Sequence, residues 1–193
     1  MSDLLTALEE RGAILNGHFR LSSGRHSDVF VQKFRVLENP VLVEQAARAL
    51  AETARALAPT IVVSAAVGGI VLGYEVARAL GTLAIFVEKE NGVATLRRGF
   101  ALGPGDRAYV VEDVVTTGMS VREVLDVVRA TGADVAGVGA IVRRAAVDFG
   151  VPTTVLLDLP IASYAPEACP QCGRGEALTE PGSRFLGAKG TAS

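Results

Sequence analysis

The chain has little to cross-link it and nothing obvious to anchor it. Only two of its 193 residues are cysteine, Cys169 and Cys172. That is too few for a disulfide framework, and a reducing cytoplasm is the default compartment. No run reaches the ~18 uninterrupted apolar residues of a membrane span. The first residues, Met1 to Arg11, lack a basic start followed by an apolar core, so they read as an amphipathic helix rather than a signal peptide. Nineteen basic against twenty-one acidic side chains leave a net charge of −2, which gives no support to a protein that tracks nucleic-acid backbone. Two familiar phosphate-binding signatures are missing as well: there is no Gly-Lys-Ser/Thr of a Walker A loop and no G-x-G-x-x-G of dinucleotide folds. No internal repeat or long low-complexity stretch occurs, and only residues 187–193 read as a frayed end.

What is present points to one compact domain. Hydrophobic residues make up 49% of the chain, enough for a sizeable core. Residues 3–11 read as a helix ending near Gly12. Residues 16–36 read as a β-hairpin, in which Phe19 and Leu21 alternate with polar residues, 22–27 is turn chemistry, and Val29, Val31 and Val36 resume a strand pattern. Asn39-Pro40 starts a helix running to about Leu57, with proline well placed in its first turn. The rest alternates: a strand at 60–64, a helix from Gly68-Gly69 to Ala79, strands at 83–87 and 109–111, a helix at 121–130, and strands at 135–142 and 153–159. Such alternation predicts an α/β fold, a parallel sheet with helices on both faces and ligands at the carboxyl ends of its strands.

The stretch that organises the chain is Tyr109-Val-Val-Glu112-Asp113-Val114-Val115-Thr116-Thr117-Gly118-Met119-Ser120. A buried strand runs into two adjacent carboxylates, then into a hydroxyl-rich turn, then into a helix whose Val121, Val124, Leu125 and Val128 share one face. The first N–H groups of a helix have no internal partner and its dipole favours negative charge, so the turn suits a phosphate. Gly118 lets the backbone approach a ligand closely. The carboxylates cannot bind phosphate directly, and ribose hydroxyls or the shell of a Mg²⁺ are the alternatives left for them. The plainer reading is a capped helix, with Ser120 as N-cap and Glu123 completing a capping box.

Other stretches carry weaker signals. The hairpin is basic, with Arg25, His26, Lys33 and Arg35, and charge alone fits a solvated face equally well. Gly68-Gly69 offers a second backbone anion cradle, although close helix–sheet packing explains two glycines too. Residues 88–100 combine Lys89, Arg97 and Arg98 with no strong periodicity, which suits a mobile lid. Arg143-Arg144 ends a strand, where a planar guanidinium could pair with a carboxylate or simply face water. Cys169-Pro-Gln-Cys172 is a single C-x-x-C. Zinc would want four ligands and no second such pair exists, leaving a redox role or a structural tail motif.

The acidic-Thr-Thr-Gly stretch resembles the phosphoribosyl-diphosphate motif of type I phosphoribosyltransferases. Paired with Gly17-His-Phe-x-Leu-x-Ser-Gly-x-His-Ser27, it resembles the orotate phosphoribosyltransferase family over nearly the whole chain. The resemblance implies a hood from about residues 1–36, a core from about 40–160 and a tail from about 161–193, all within one phosphoribosyltransferase domain. It further implies transfer of ribose 5-phosphate from 5-phosphoribosyl 1-diphosphate to orotate, with Mg²⁺ held mainly through diphosphate and ribose oxygens rather than directly by side chains. Glu112 and Asp113 would hold the ribose, residues 114–120 the 5′-phosphate, and Gly68, Gly69 and Lys89 the diphosphate. Thr116 and Arg144 would meet orotate, and Lys89, Glu112 and Asp113 would be the catalytic groups. A homodimer, small-molecule substrates and the absence of nucleic-acid or membrane partners follow from the same resemblance. Three positions depart from the family. Ser22 stands where many members carry lysine, and the lid lacks both the second lysine and the histidine of the usual Lys-x-x-Lys-x-His pattern, with Arg97 and Arg98 as replacements by charge. The alternatives are a phosphoribosyltransferase for a purine or uracil, or a non-catalytic sensor of phosphoribosyl diphosphate.

Overall fold

The computed structural model describes residues 2–21 and 23–181; Ser22 and the frayed end expected at 187–193 lie outside the described residues. Among these residues no helix is long and apolar enough to cross a membrane. The chain divides into two compact units, one made of Met1–Leu5 with Lys33–Pro160 and the other of Thr6–Gln32 with Ile161–Ser193. The hairpin and the C-terminal segment, read separately from sequence, therefore share one unit.

In the larger unit, six strands order as β5-β4-β3-β6-β7-β8. They are β3 (Ile61–Ala65), β4 (Leu83–Glu90), β5 (Val93–Leu96), β6 (Arg107–Val115), β7 (Asp134–Arg143) and β8 (Thr153–Asp158). All neighbours are parallel except β4 and β5. Helices α2 (Phe34–Leu37), α3 (Pro40–Ala54), α4 (Gly68–Leu80) and α5 (Met119–Ala130) complete the unit. Side chains alternate across each strand, which sorts the helices onto two faces. Ile61 and Val63 join the apolar cluster containing Val121, Val124, Leu125 and Val128 of α5. Ser64 faces the other way, and a Cβ added at Gly73 of α4 would stand 3.0 Å from its Cβ. The expected parallel sheet with helices on both faces is what the chain adopts. From β3 the order runs outward in one direction through β4, and from β6 in the other through β7 and β8. The switch point, where ligands settle in such sheets, therefore lies between the carboxyl ends of β3 and β6.

Three local expectations are revised. Val36 does not continue a strand; it is buried in α2. The spacing from Val31 to Val36 is odd, so the two residues could never share one face of a strand. The proposed lid is structured at its start, because Asn91 and Gly92 take positive φ values of 51° and 84° and close a hairpin pairing Glu90 with Val93. Asn-Gly is the turn that favours such a hairpin. The capping box does not form either: Gly118, left-handed at φ 77°, is the N-cap of α5 and makes no side-chain bond.

The smaller unit contains α1 from Thr6 onward (α1 spans Ser2–Glu10), the antiparallel pair β1 (Ile14–Arg20) and β2 (His26–Val31), and α6 (Pro170–Gly173). Asn16 pairs with Val29 but Phe19 pairs with Ser27, so one extra residue bulges from β1. The bulge breaks the alternation and leaves His18 and Phe19 both buried. The C-x-x-C motif, read as lacking further ligands, meets His18 and His26 here. Those histidines lie some 150 residues upstream and show no metal-site spacing.

Close packing of β6 on β7 depends on small residues. The fully buried Tyr109 ring lies over Gly139, where an added Cβ would come within 2.9 Å of the ring carbon Cε1. Gly139→Ala is expected to destabilise the chain by about 1–3 kcal/mol, read as a lower urea midpoint. An unchanged midpoint would contradict this packing.

Candidate active site

The site grows from the end of β6, where the strand carries its two acids deep into the unit. Glu112 and Asp113 are both buried. Glu112 Oε1 accepts the Asp113 N–H at 3.0 Å, and Asp113 Oδ1 accepts the Val114 N–H at 2.6 Å. The cation facing Asp113 is Lys33, whose Nζ lies 3.0 Å from Oδ2 and 3.3 Å from Oδ1. Oδ2 nevertheless has no well-directed hydrogen bond of its own. Sequence reasoning missed this partner. Lys33 stood among the basic hairpin residues, 80 positions from Asp113, and no local pattern joins the two.

Gly68 explains how the groups come so near the turn after β3. An added Cβ there would stand 2.1 Å from Asp113 Oδ2 and 2.7 Å from Lys33 Nζ, so any other residue would push this pair out of its present arrangement. At Gly69 the limit is milder, with Ser64 Cβ at 3.2 Å. The Ala66–Val67 peptide just before them is cis.

Beyond Asp113 the chain opens to solvent at Thr116, Thr117, Met119 and Ser120, while Gly118 remains buried. An added Cβ at Gly118 would come 2.8 Å from Val147 and 2.9 Å from the Phe149 ring, and its φ is positive, so no other residue fits there. The first helical hydrogen bond of α5 is Arg122 N–H to Gly118 O at 3.0 Å. The N–H groups ahead of it have no helical acceptor and the hydroxyls beside them are exposed, as a phosphate cradle requires.

The three predicted cations are placed differently from one another. Lys89 lies with Ala65, Ala66, Glu88, Ser120 and Glu123 along one small cleft, and its Nζ donates to Glu123 Oε1 at 2.8 Å. It therefore sits between the turn after β3 and the start of α5. Arg97 and Arg98 pair instead with Glu90 at 3.2 Å and Glu88 at 3.0 Å. At the end of β7 the two arginines part. Arg143 binds Asp158 through two hydrogen bonds of 3.1 and 2.7 Å. Arg144 is half-buried, and its buried Nε has no partner among the described residues. Burial pulls its guanidinium below the usual value. A partly desolvated guanidinium without an acid is suited to a carboxylate ligand.

Burial and then the neighbouring Asp113 charge push the Glu112 carboxyl up to about 8. Between them the two acids thus carry less than full charge near neutrality. The donor set does not build a cage for a hard divalent cation, because one oxygen of each acid is already bound to backbone and Asp113 Oδ2 faces Lys33. It fits a Mg²⁺ that keeps its waters and enters on substrate oxygens.

No protein-family model matches the chain. It is 50% identical over 186 residues to the orotate phosphoribosyltransferase of Pelotomaculum thermopropionicum, covering 95% of this chain and 98% of the relative. To that of Heliobacterium modesticaldum it is 51% identical over 176 residues, covering 89% and 92%. Among solved structures it resembles orotate phosphoribosyltransferase from Aeropyrum pernix, with a TM-score of 0.69 and 26% identity over 81% of this chain and 93% of that one. Adenine phosphoribosyltransferase from Thermoanaerobacter pseudethanolicus shares the fold at a TM-score of 0.61 and 17% identity, covering 68% of this chain and 88% of that one. The fold by itself therefore does not choose the base.

The raised Glu112 carboxyl makes stability depend on pH. Between the ordinary value of 4.5 and about 8, the native chain holds a proton that the unfolded chain has released. Its contribution is complete below 4.5 and lost as pH rises through about 8. The isosteric Glu112→Gln variant has no such proton to lose. The wild-type chain should thus lose stability relative to this variant across that window, measured by urea unfolding in a pH series. A constant difference between the two would contradict the protonated carboxyl.

Proposed function

We propose, on the premise that the chain belongs to the orotate phosphoribosyltransferase family, that its site transfers ribose 5-phosphate from 5-phosphoribosyl 1-diphosphate to N1 of orotate. The products are orotidine 5′-monophosphate and diphosphate, a step toward UMP. The observation that carries the choice of base is Arg144, a half-buried guanidinium with a free Nε beside a neighbour already committed to Asp158. Adenine offers no carboxylate to such a group, and orotate does.

In this reading the 5′-phosphate rests on Thr116, Thr117, Gly118, Met119 and Ser120, with Val114 and Val115 holding the turn on the sheet. Glu112 and Asp113 hold the ribose hydroxyls. As the C1′–O bond breaks, its electron pair leaves with the diphosphate and positive charge develops on the sugar ring. Two carboxyl groups at the strand end favour that charge. Lys89 exchanges Glu123 for the departing diphosphate, against Gly68 and Gly69. Mg²⁺, when bound, neutralises diphosphate oxygens. Thr116 and Arg144 orient the base, so catalysis is positioning and electrostatics, with no covalent enzyme intermediate. The segment of about residues 1–36 contributes the hood in this reading. The working form is a cytoplasmic homodimer with small-molecule substrates alone.

Consumption of orotate, followed by absorbance, tests the activity directly. Arg144→Ala should raise the KM for orotate by ~10-fold or more, the loss of one charge-assisted hydrogen-bonding partner. The KM for the ribose donor should barely move. Equal effects on both substrates would argue against carboxylate recognition at this position.

A further inference from the structure

The smaller unit holds four metal-ligating side chains that the reaction does not use. His18 and His26 come from β1 and β2, and Cys169 and Cys172 from the turn into α6 and from α6 itself. Their four ligand atoms lie within 4.8 Å of one another, with all but Cys172 buried. His18 Nε2 is 3.1 Å from His26 Nδ1, 3.4 Å from Cys169 Sγ and 3.6 Å from Cys172 Sγ. Cys172 Sγ is 3.2 Å from His26 Nδ1. A tetrahedral zinc bound at ~2.3 Å by sulfur and ~2.0–2.1 Å by nitrogen separates its ligand atoms by roughly 3.3–3.8 Å. These four spacings lie within a few tenths of an ångström of that pattern.

A second observation makes this more than proximity. The other ring nitrogen of His18, Nδ1, lies 3.0 Å from the Glu176 carbonyl oxygen. A carbonyl can only accept, so Nδ1 carries the proton and Nε2 presents a lone pair to the cluster. Metal-bound histidines are held in this way. The backbone is built around the same point. His18 O accepts from Thr179 N–H at 2.8 Å, and His26 exchanges two 2.8 Å bonds with Tyr164. Gln171, between the cysteines, donates to Gly17 O at 2.9 Å. The bulge in β1 is what buries His18 next to Phe19 instead of leaving it on the outer face.

We propose that these four residues bind one Zn²⁺ in a closed structural site. Two thiolates and two neutral imidazoles in a tetrahedron favour zinc. A two-iron cluster with the same ligands would put the histidines on one iron and the cysteines on the other, whereas His18 Nε2 lies 3.4 and 3.6 Å from both sulfurs, as around a single ion. All four positions are filled by protein, so the ion has no place for substrate and its role is structural. A unit of roughly 60 residues drawn from both ends of the sequence gains little from its own core, and the ion ties those ends together.

The full-length chain, expressed with zinc in the medium and dialysed, should carry about one zinc per chain by inductively coupled plasma mass spectrometry. Cobalt exchanged into it should give a thiolate charge-transfer band and the intense visible bands of a tetrahedral ion. Cys172→Ser should lower the zinc content at least fivefold. If that variant fails to fold, the wild-type chain stripped by chelator decides: its Tm should fall and return when zinc alone is added back. Zinc below about a tenth per chain together with no thiolate–cobalt band would overturn the site. A Cys169–Cys172 disulfide in chain purified under reducing conditions would overturn it equally.

Discussion

Everything at the carboxyl end of the central strands depends on burying two adjacent carboxyl groups. Burial makes a full double negative charge costly there. The chain answers by setting Lys33 3.0 Å from Asp113 and leaving Glu112 with a carboxyl raised to about 8. The result is a pocket of incomplete negative charge. In the proposed reaction, a sugar ring that becomes cationic as its bond breaks would supply the missing positive partner, most strongly at the transition state. Placing the acids on a strand rather than a loop fixes them, because β6 is paired with β3 up to Val111 and with β7 through Glu112 and on to Val115.

The parallel sheet determines what else can stand around those acids. Its switch point brings the turn after β3 against the end of β6, and Gly68 lets Asp113 and Lys33 approach where an added Cβ would displace them. One side of the carboxyl pair thus has the glycine turn after β3, and the other has the exposed hydroxyls leading into α5. Lys89 stands between them, held by Glu123. Glu123 is half-buried and Lys89 more exposed, so the pair stands at the mouth of the cleft. The same economy of charge separates the arginines of β7. Arg143 is neutralised by Asp158, while Arg144 keeps an unpaired donor.

Much of this was legible in the sequence, for reasons that are local. The run from Tyr109 to Ser120 contains a strand, its acids, its turn and its helix in continuous order, so their relation needs no tertiary information. Gly68-Gly69 and Arg144 were readable as candidates because each ends a strand in an alternating α/β pattern. What escaped was non-local or depended on register. Lys33 meets Asp113 across 80 residues, and His18 meets Cys169 across 151. A one-residue bulge decides that His18 is buried, and β-branched alternation cannot show it. The Asn91-Gly92 hairpin is different, since Asn-Gly is a local turn signal that the sequence itself carries.

The protonated Glu112 beside the paired Asp113 is the most specific physical statement in this account, and ligand binding reports on it. Titrating the chain with magnesium phosphoribosyl diphosphate in two buffers of unlike ionisation enthalpy measures protons exchanged on binding. At pH near 7.5, the wild-type chain should release protons as the carboxyl engages the ribose and its bound cation, and Glu112→Gln should bind with that release removed. Equal proton exchange in the two proteins, or no binding by either, would contradict a half-charged carboxyl pair as the seat of the ribose.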